Sequence, residues 1–171
     1  MKKLSLEGLN FSTTEINIKN KIMTITLDRP EKKNAMNNVM MNEINYLLAY
    51  AKQEKDIRVV VFAANGDIFC AGADLSRTES KSNVPRLENS DDISLSLRHL
   101  YKPVICKIQG PVLAGALLIV SNATHAIAVD EATFSAPEIH RGLWPFMVMA
   151  GLFRVMPKRA GLDFIMRGKP I

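Results

Sequence analysis

Two segments of small residues have the composition of backbone sites that bind a negatively charged oxygen. They are 68–75 (IFCAGADL) and 109–116 (QGPVLAGA), and each lies between a predicted buried strand and a predicted apolar helix. A helix N-terminus leaves backbone N–H groups unpaired, and small side chains let a ligand approach that backbone closely. Two such turns facing each other would direct two N–H donors at one oxygen, as an enolate or a tetrahedral oxyanion requires. Small residues also allow a helix to pack closely on a sheet, so spacing alone leaves both interpretations open.

A carboxylate in an apolar neighbourhood is the candidate group for proton transfer. Glu138 follows a proline in the segment FSAPEIH, where burial is expected to raise its pKa and suit it to move protons. An ordinary loop glutamate with a capping role is the alternative. His140 lies close by but is a weaker candidate, because a lone histidine is more often structural. The sequence has no Cys, His and carboxylate cluster with metal-ligand spacing, so we expect no metal site.

Alternating strands and helices must position these groups. Apolar residues at period two predict a hairpin within 15–28, and a helical period over 37–53 predicts a helix capped by Asn37 or Asn38. The polar segment 76–92 predicts a solvated loop or a lid. The remaining predictions are strands at 59–63, 104–108, 126–129 and 133–135, and helices at 93–101, 114–121, from Pro145 to about Val155, and 158–166. This order favours an α/β fold in a single domain spanning residues 1–171.

The composition fits a soluble globular domain. Of the 171 residues, 47% are hydrophobic and 23% charged, and the formal net charge is +5. The basic residues are spread along the chain, so we expect a solvated cationic surface and no nucleic-acid partner. The longest apolar run, 112–120, is shorter than the roughly 20 residues that span a bilayer, and the N-terminus lacks the pattern of a signal peptide. We therefore expect no membrane partner. Cys70 and Cys106 lie in apolar stretches, which predicts buried free thiols and a reduced, cytoplasmic location.

Four elements occur together in the order typical of one enzyme superfamily. They are ITLDRP at 25–30 followed by Asn34-Ala35, FCAGADL at 69–75, KPVI at 102–105 before a glycine-rich turn, and Pro137-Glu138. On these motifs the chain resembles the crotonase (enoyl-CoA hydratase/isomerase) superfamily over nearly its whole length.

The resemblance implies an enzyme that acts on an acyl-CoA thioester. The backbone N–H groups of Ala73 and Gly115 would form an oxyanion hole for the thioester carbonyl, and Glu138 would be the catalytic carboxylate. The coenzyme A groove would be lined by Lys33, Ala35, Ala71, Gly72, Asp74 and Leu75. The fold would be a ClpP/crotonase-like spiral of ββα units that assembles into trimers or hexamers. Coenzyme A would enter as part of the substrate, so no separate cofactor is expected.

Three features depart from the superfamily pattern. Leu118 occupies the position at which hydratases of the superfamily carry a second glutamate, and paired carboxylates suit hydration because water must be oriented while another proton moves. The glycine triplet is Ala114-Gly115-Ala116, which keeps only the central glycine. Relatives continue beyond the equivalent of Ile171 through further helices, so the C-terminal helical part is expected to be missing.

The single carboxylate favours an isomerase that converts a 3-enoyl thioester to a 2-enoyl thioester. One alternative is an enoyl-CoA hydratase of fatty-acid or branched-chain acyl-CoA breakdown that uses another acid, from 76–92 or His140. A second alternative is a catalytically inactive acyl-CoA binder or fragment. Asp74 is expected to cap a helix after the first small-residue turn. The residues expected to shape an acyl pocket or to pack in the core are Trp144, Phe146, Met147 and Met149.

Overall fold

A hairpin begins the larger of two sheets. The computed structural model describes residues 3–76, 82–87 and 92–171, and strands β1 (Thr14–Lys19) and β2 (Ile22–Leu27) pair antiparallel. The linking residues Asn20 and Lys21 have φ of 51° and 65°. Two consecutive left-handed residues are what a type I′ hairpin turn requires. The predicted hairpin is confirmed.

Parallel strands extend this sheet beyond the hairpin. Its order is β1-β2-β3-β4-β6, with β3 at Val59–Ala64, β4 at Val104–Ile108 and β6 at His125–Ala128. Strands β2, β3, β4 and β6 run parallel, and helices lie in the connections between them, as parallel pairing requires. The predicted α/β class is confirmed. Strand β6 forms one edge of this sheet, and all four of its residues are exposed.

The first helix covers this sheet. Helix α1 spans Asn38–Gln53, and the side-chain oxygen of its N-cap, Asn37, accepts a hydrogen bond of 2.9 Å from the Met40 N–H. Its buried apolar residues recur at helical spacing and join the core formed by β2, β3 and β4. At the other end, the Lys102 ammonium donates to three backbone carbonyl oxygens around the helix C-terminus. Period and cap agree here, so the predicted helix is confirmed.

Three of the remaining helices are shorter than the sequence predicts, and the fourth matches its predicted range to within one residue. Helix α2 spans Ile93–Arg98, α3 Leu117–Asn122, α4 Phe146–Leu152 and α5 Lys158–Arg167. The predicted helix at 114–121 does not begin at Ala114, because this residue has a left-handed φ of 52°; a 3-10 turn, Ala114–Ala116, precedes α3. Two short strands, β5 (Val112–Leu113) and β7 (Phe134–Ser135), form a separate parallel pair. None of the described helices is long and apolar enough to cross a membrane.

The middle of the polar segment 76–92 is attached to α1. Val84 is buried, and the Asn42 side-chain amide donates to the Val84 carbonyl oxygen at 2.8 Å and to the Ser82 hydroxyl at 3.0 Å. This part is therefore packed against the helix, and a fully solvated loop is the wrong description of it. Residues 77–81 and 88–91 lie outside the described residues.

Both cysteines are buried and free, as the sequence predicts. Burial raises the pKa of each thiol to about 12, although the Gly72 backbone N–H opposes this shift at Cys70. The Cys70 thiol donates to the Asn34 carbonyl oxygen at 3.0 Å. These groups are packing residues, since a protonated buried thiol is a poor nucleophile.

Candidate active site

Three parallel extended segments end at the same place. Cys70 pairs with Val112 of β5 in a parallel bridge, and Val112 in turn pairs with Phe134 of β7. The chain leaves all three segments at their carboxyl ends, which lie at one edge because the segments are parallel. Ala73 follows the first segment, Gly115 the second and Glu138 the third. The topology therefore places each predicted catalytic position after one of three adjacent parallel segments.

Strand-like pairing with Met36 sets the direction of the Ala73 N–H. The Met36 N–H donates to the Gly72 carbonyl oxygen at 2.7 Å, and the Asp74 N–H donates to the Met36 carbonyl oxygen at 2.9 Å. In such a parallel bridge the residues on either side of Ala73 make the bonds, so the N–H of Ala73 itself points away from Met36. Ala73 is also exposed as a residue.

Gly72 lets the two predicted donors approach each other. A β-carbon on Gly72 would lie 2.9 Å from the backbone nitrogen of Gly115 and 2.9 Å from the Leu113 carbonyl oxygen. From the opposite side, a β-carbon on Gly115 would lie 3.6 Å from the backbone nitrogen of Ala73. Gly72 also has a φ of 87°, a conformation that favours glycine. The donors of Ala73 and Gly115 are therefore neighbours.

The two small-residue turns do not share one design, which corrects the sequence interpretation. Gly115 lies in the 3-10 turn that leads into α3. Residues 74–76 after Ala73 are not helical. Pairing with Met36, rather than a helix N-terminus, thus presents the first donor.

Glu138 lies in a 3-10 turn, Pro137–Arg141, that follows β7. Its side chain is half-buried, and its Oε2 atom is buried without a hydrogen-bond partner among the described residues. Burial raises the pKa of this carboxyl, while its own backbone N–H and the Arg141 charge oppose the shift. A carboxylate that is short of hydrogen-bond partners and has a raised pKa is suited to accept and return a proton.

The predicted groove residues lie along two adjacent segments. The Ala71 N–H donates to the Lys33 carbonyl oxygen at 3.0 Å, which places the two segments side by side. Lys33 and Leu75 are exposed, whereas Ala35 and Ala71 are half-buried and Gly72 is buried. The structure thus brings residues 33–36 and 71–74 together next to the two donors.

Asp74 has a different structural role from the predicted helix cap. Its Oδ2 lies 3.0 Å from Nη1 of Arg29, and its Oδ1 accepts a 2.9 Å hydrogen bond from the Ser76 N–H. Hydrogen bonds from Ser76, reinforced by the Arg29 guanidinium, hold the pKa of Asp74 at about 2. The cap prediction is wrong within residues 74–76. Sequence reasoning missed the role of Arg29, which it named only as part of the motif ITLDRP at 25–30.

The chain as a whole matches known proteins. Residues 17–171 match the enoyl-CoA hydratase/isomerase family. The chain belongs to this family. Its fold is accordingly crotonase-like, and a crystal structure of an enoyl-CoA hydratase from Mycobacterium smegmatis superposes with a TM-score of 0.82 at 25% identity, covering 94% of this chain and 64% of that one.

Two curated relatives give the scale of the similarity. Human mitochondrial enoyl-CoA hydratase domain-containing protein 3 is 27% identical over 154 residues, which are 88% of this chain and 51% of that protein. The mevalonyl-coenzyme A hydratase of Aspergillus fumigatus is 29% identical over 154 residues, covering 86% of this chain and 56% of that protein. The chain therefore spans about half the length of the curated relatives that it matches.

Other residues that the sequence predicted for the site lie near the Glu138 turn. Nε2 of His140 is 3.2 Å from the Gly168 carbonyl oxygen at the end of α5, so its ring makes a structural contact. Phe146 and Met147 are 68% and 55% exposed, which makes core packing the wrong description of both. Trp144 and Met149 are half-buried, and the Trp144 ring N–H donates to the Met149 sulfur at 3.4 Å.

An apolar cavity of about 330 Å³ lies beside the edge strand of this crotonase fold. Its lining residues come from α3, from β6, from the segments that follow α3 and α4, and from single residues of α4 and α5, together with Phe134 and Ile171. None of the predicted site residues is among the described residues that line it. The described residues also contain no cluster of three or more His, Cys, Asp or Glu side chains that could hold a metal ion.

Proposed function

We propose that this chain binds an acyl-CoA thioester and shifts the double bond of a 3-enoyl thioester to the 2-position. The observation that carries the proposal is that Ala73, Gly115 and Glu138 each follow one of three adjacent parallel segments. Two neighbouring backbone donors and one partly buried carboxylate are the groups that enolate chemistry needs.

The reaction requires one proton to leave C2 and one to arrive at C4. Glu138 removes the C2 proton, and the electron pair moves into the thioester carbonyl to form a dienolate. The N–H groups of Ala73 and Gly115 donate to the dienolate oxygen, which carries the negative charge. Glu138 then returns a proton at C4, and the double bond forms between C2 and C3. The raised pKa of Glu138 brings its two protonation states closer in free energy, which favours both transfers.

Leu118 supports isomerisation over hydration. It lies in the first turn of α3, half-buried against the hydrophobic core. An aliphatic side chain neither orients water nor transfers a proton. A 1,3 proton shift needs a single shuttle, whereas water addition uses a second polar group.

The coenzyme A part of the substrate would lie along residues 33–36 and 71–75. The exposed Lys33 can meet a phosphate through its ammonium group, and small residues at 71–73 allow the ligand to approach the backbone. Assembly into trimers or hexamers, as the superfamily resemblance implies, belongs to the same proposal.

Two substrates offered separately test the reaction. The purified chain is incubated with a 3-enoyl-CoA and with a 2-enoyl-CoA, and thioester conjugation and water addition are followed independently. We expect conversion of the first without hydration of the second. Binding of both thioesters by folded protein with turnover of neither would replace the isomerase proposal with an acyl-CoA binder.

Hydration is the second candidate, and the names of the relatives favour it. The Aspergillus fumigatus relative and the superposed Mycobacterium smegmatis enzyme are both named hydratases. A hydratase would form the 3-hydroxyacyl thioester from the 2-enoyl thioester. In the isomerase, Leu118→Glu is expected to introduce water addition that the parent chain lacks, whereas a hydratase would add water before the substitution.

A further inference from the structure

Arg29 and Asp74 form an ion pair immediately beside one of the proposed oxyanion donors. Nη1 of Arg29 lies 3.0 Å from Oδ2 of Asp74 and also donates to the Ala35 carbonyl oxygen. The side chains are only 14% and 10% exposed, so solvent screens the pair far less than it screens a surface pair. One guanidinium thus joins the segment that contains Ala35 to the segment that contains Ala73.

This ion pair lies just beyond the last backbone hydrogen bond between the segment that contains Met36 and the segment that contains Ala73. The bond from the Asp74 N–H to the Met36 carbonyl oxygen is followed by residues 75–76, which are in no strand or helix. The Met36 N–H holds the Gly72–Ala73 peptide through the Gly72 carbonyl oxygen, and beyond Ala73 the chain is held through Asp74. The Asp74 side chain is held by Arg29 on one oxygen and by the Ser76 N–H on the other.

The pair also has an electrostatic consequence for the bound oxygen. Asp74 is adjacent in sequence to the residue whose N–H would donate to an enolate. An unpaired carboxylate at this distance would repel the negative charge that develops in the transition state, and a paired one repels it less. Removing Arg29 alone should therefore be worse for turnover than removing the charge of Asp74.

We propose that Arg29 and Asp74 are positioning residues that hold the Ala73 N–H in the oxyanion hole and neutralise the charge next to it. This inference rests on the proposed function, because it takes Ala73 as an oxyanion donor. Neither residue touches the substrate carbonyl in this account. Both act through the backbone of Ala73.

Steady-state kinetics with a 3-enoyl-CoA test the positioning role in the full chain. Arg29→Met should lower kcat by about tenfold to a hundredfold, the range expected when a catalytic donor is misplaced, with a much smaller change in KM. Arg29→Lys should restore part of the loss, since lysine supplies the charge without the planar fork. Asp74→Asn in the Arg29→Met background should also recover activity, because it removes the unpaired charge. The matched control is Asp163→Asn. This substitution removes an exposed ion pair in which Oδ2 of Asp163 lies 2.7 Å from Nε of Arg167.

A spectroscopic measurement separates this inference from the proposed reaction. The infrared stretch of a ¹³C-labelled thioester carbonyl in bound saturated acyl-CoA reports polarisation by the two donors without turnover. We expect wild type and Asp163→Asn to lower the stretching frequency and Asp74→Asn to lower it less. If wild type lowers the frequency but isomerises nothing, the proposed reaction is overturned. If Asp74→Asn then reverses the frequency shift, the positioning role is still supported. An unchanged carbonyl frequency in folded Asp74→Asn, or a kcat of folded Arg29→Met equal to that of Asp163→Asn, would overturn the positioning role.

Discussion

Gly72 packs directly against the backbone of Gly115, because a β-carbon on Gly72 would lie only 2.9 Å from the Gly115 nitrogen. This contact joins two segments that are far apart in the sequence and gives the candidate oxyanion hole its width. Because Gly72 directly precedes Ala73, the same contact places the N–H groups of Ala73 and Gly115 side by side. Both donors depend on the absence of a side chain at one position.

Gly72→Ala should therefore lower kcat by more than the backbone strain of a left-handed alanine alone would cause. The left-handed φ of 87° costs an alanine about 1–2 kcal/mol, and the β-carbon would also overlap the Gly115 nitrogen. We expect kcat to fall by about a hundredfold, as for the loss of one oxyanion donor. Gly8→Ala is the matched control, since Gly8 has a φ of 74° with open space around it. Equal kcat values in the two variants would contradict the proposed contact.

Ala114→Gly should stabilise the protein. Ala114 has a φ of 52°, and relief of that left-handed alanine is expected to raise the free energy of unfolding by about 1 kcal/mol. Ala123→Gly is the control, because Ala123 has an ordinary φ of −72° and glycine there should lower stability by about 0.5–1 kcal/mol. Urea unfolding measures both. Destabilisation of the same size in the two variants would show that Ala114 is not strained.

The carboxyl of Glu138 should make stability depend on pH in a defined direction. Its pKa is raised in the folded chain above the ordinary value of 4.5, so the folded state retains this proton to higher pH than the unfolded state does. The free energy of unfolding therefore falls as pH rises from about 4.5 through the raised pKa. Glu138→Gln removes this dependence.

The measurement is the urea midpoint of wild type and Glu138→Gln at pH 4 and pH 8. We expect similar midpoints at pH 4 and a higher midpoint for the variant at pH 8. A difference of the same size at both pH values would mean that burial of the Glu138 charge is not its cause.

Local sequence signals predicted the elements that depend on local interactions. Helix α1 follows the predicted range because its apolar period and its Asn37 cap coincide, and the hairpin follows because its turn residues and its strand alternation agree. The family motifs likewise identified Ala73, Gly115 and Glu138 as a set. The structure adds their shared position at the carboxyl ends of three parallel segments.

Tertiary pairing accounts for what the sequence could not predict. The direction of the Ala73 N–H comes from Met36, and the partner of Asp74 is Arg29, both distant in the chain. Glu43 is another example, because its place on an amphipathic helix is compatible with exposure. Its carboxylate is in fact fully buried and accepts hydrogen bonds from Ser12, Thr13 and Thr14. No periodicity within α1 indicates these partners.

Hydrogen–deuterium exchange at C2 of a bound thioester tests the central claim, that Glu138 moves a proton while Ala73 and Gly115 stabilise the enolate. The folded chain is incubated with an acyl-CoA in D₂O, and deuterium at C2 is measured by mass spectrometry. We expect wild type and the control Glu131→Gln, which changes an exposed glutamate, to exchange C2 protons at the same rate. Glu138→Gln should slow exchange by about 10²–10⁴-fold, the usual contribution of a positioned acid–base group. Equal exchange in Glu138→Gln and wild type, or no exchange by wild type that binds the thioester, would contradict the account.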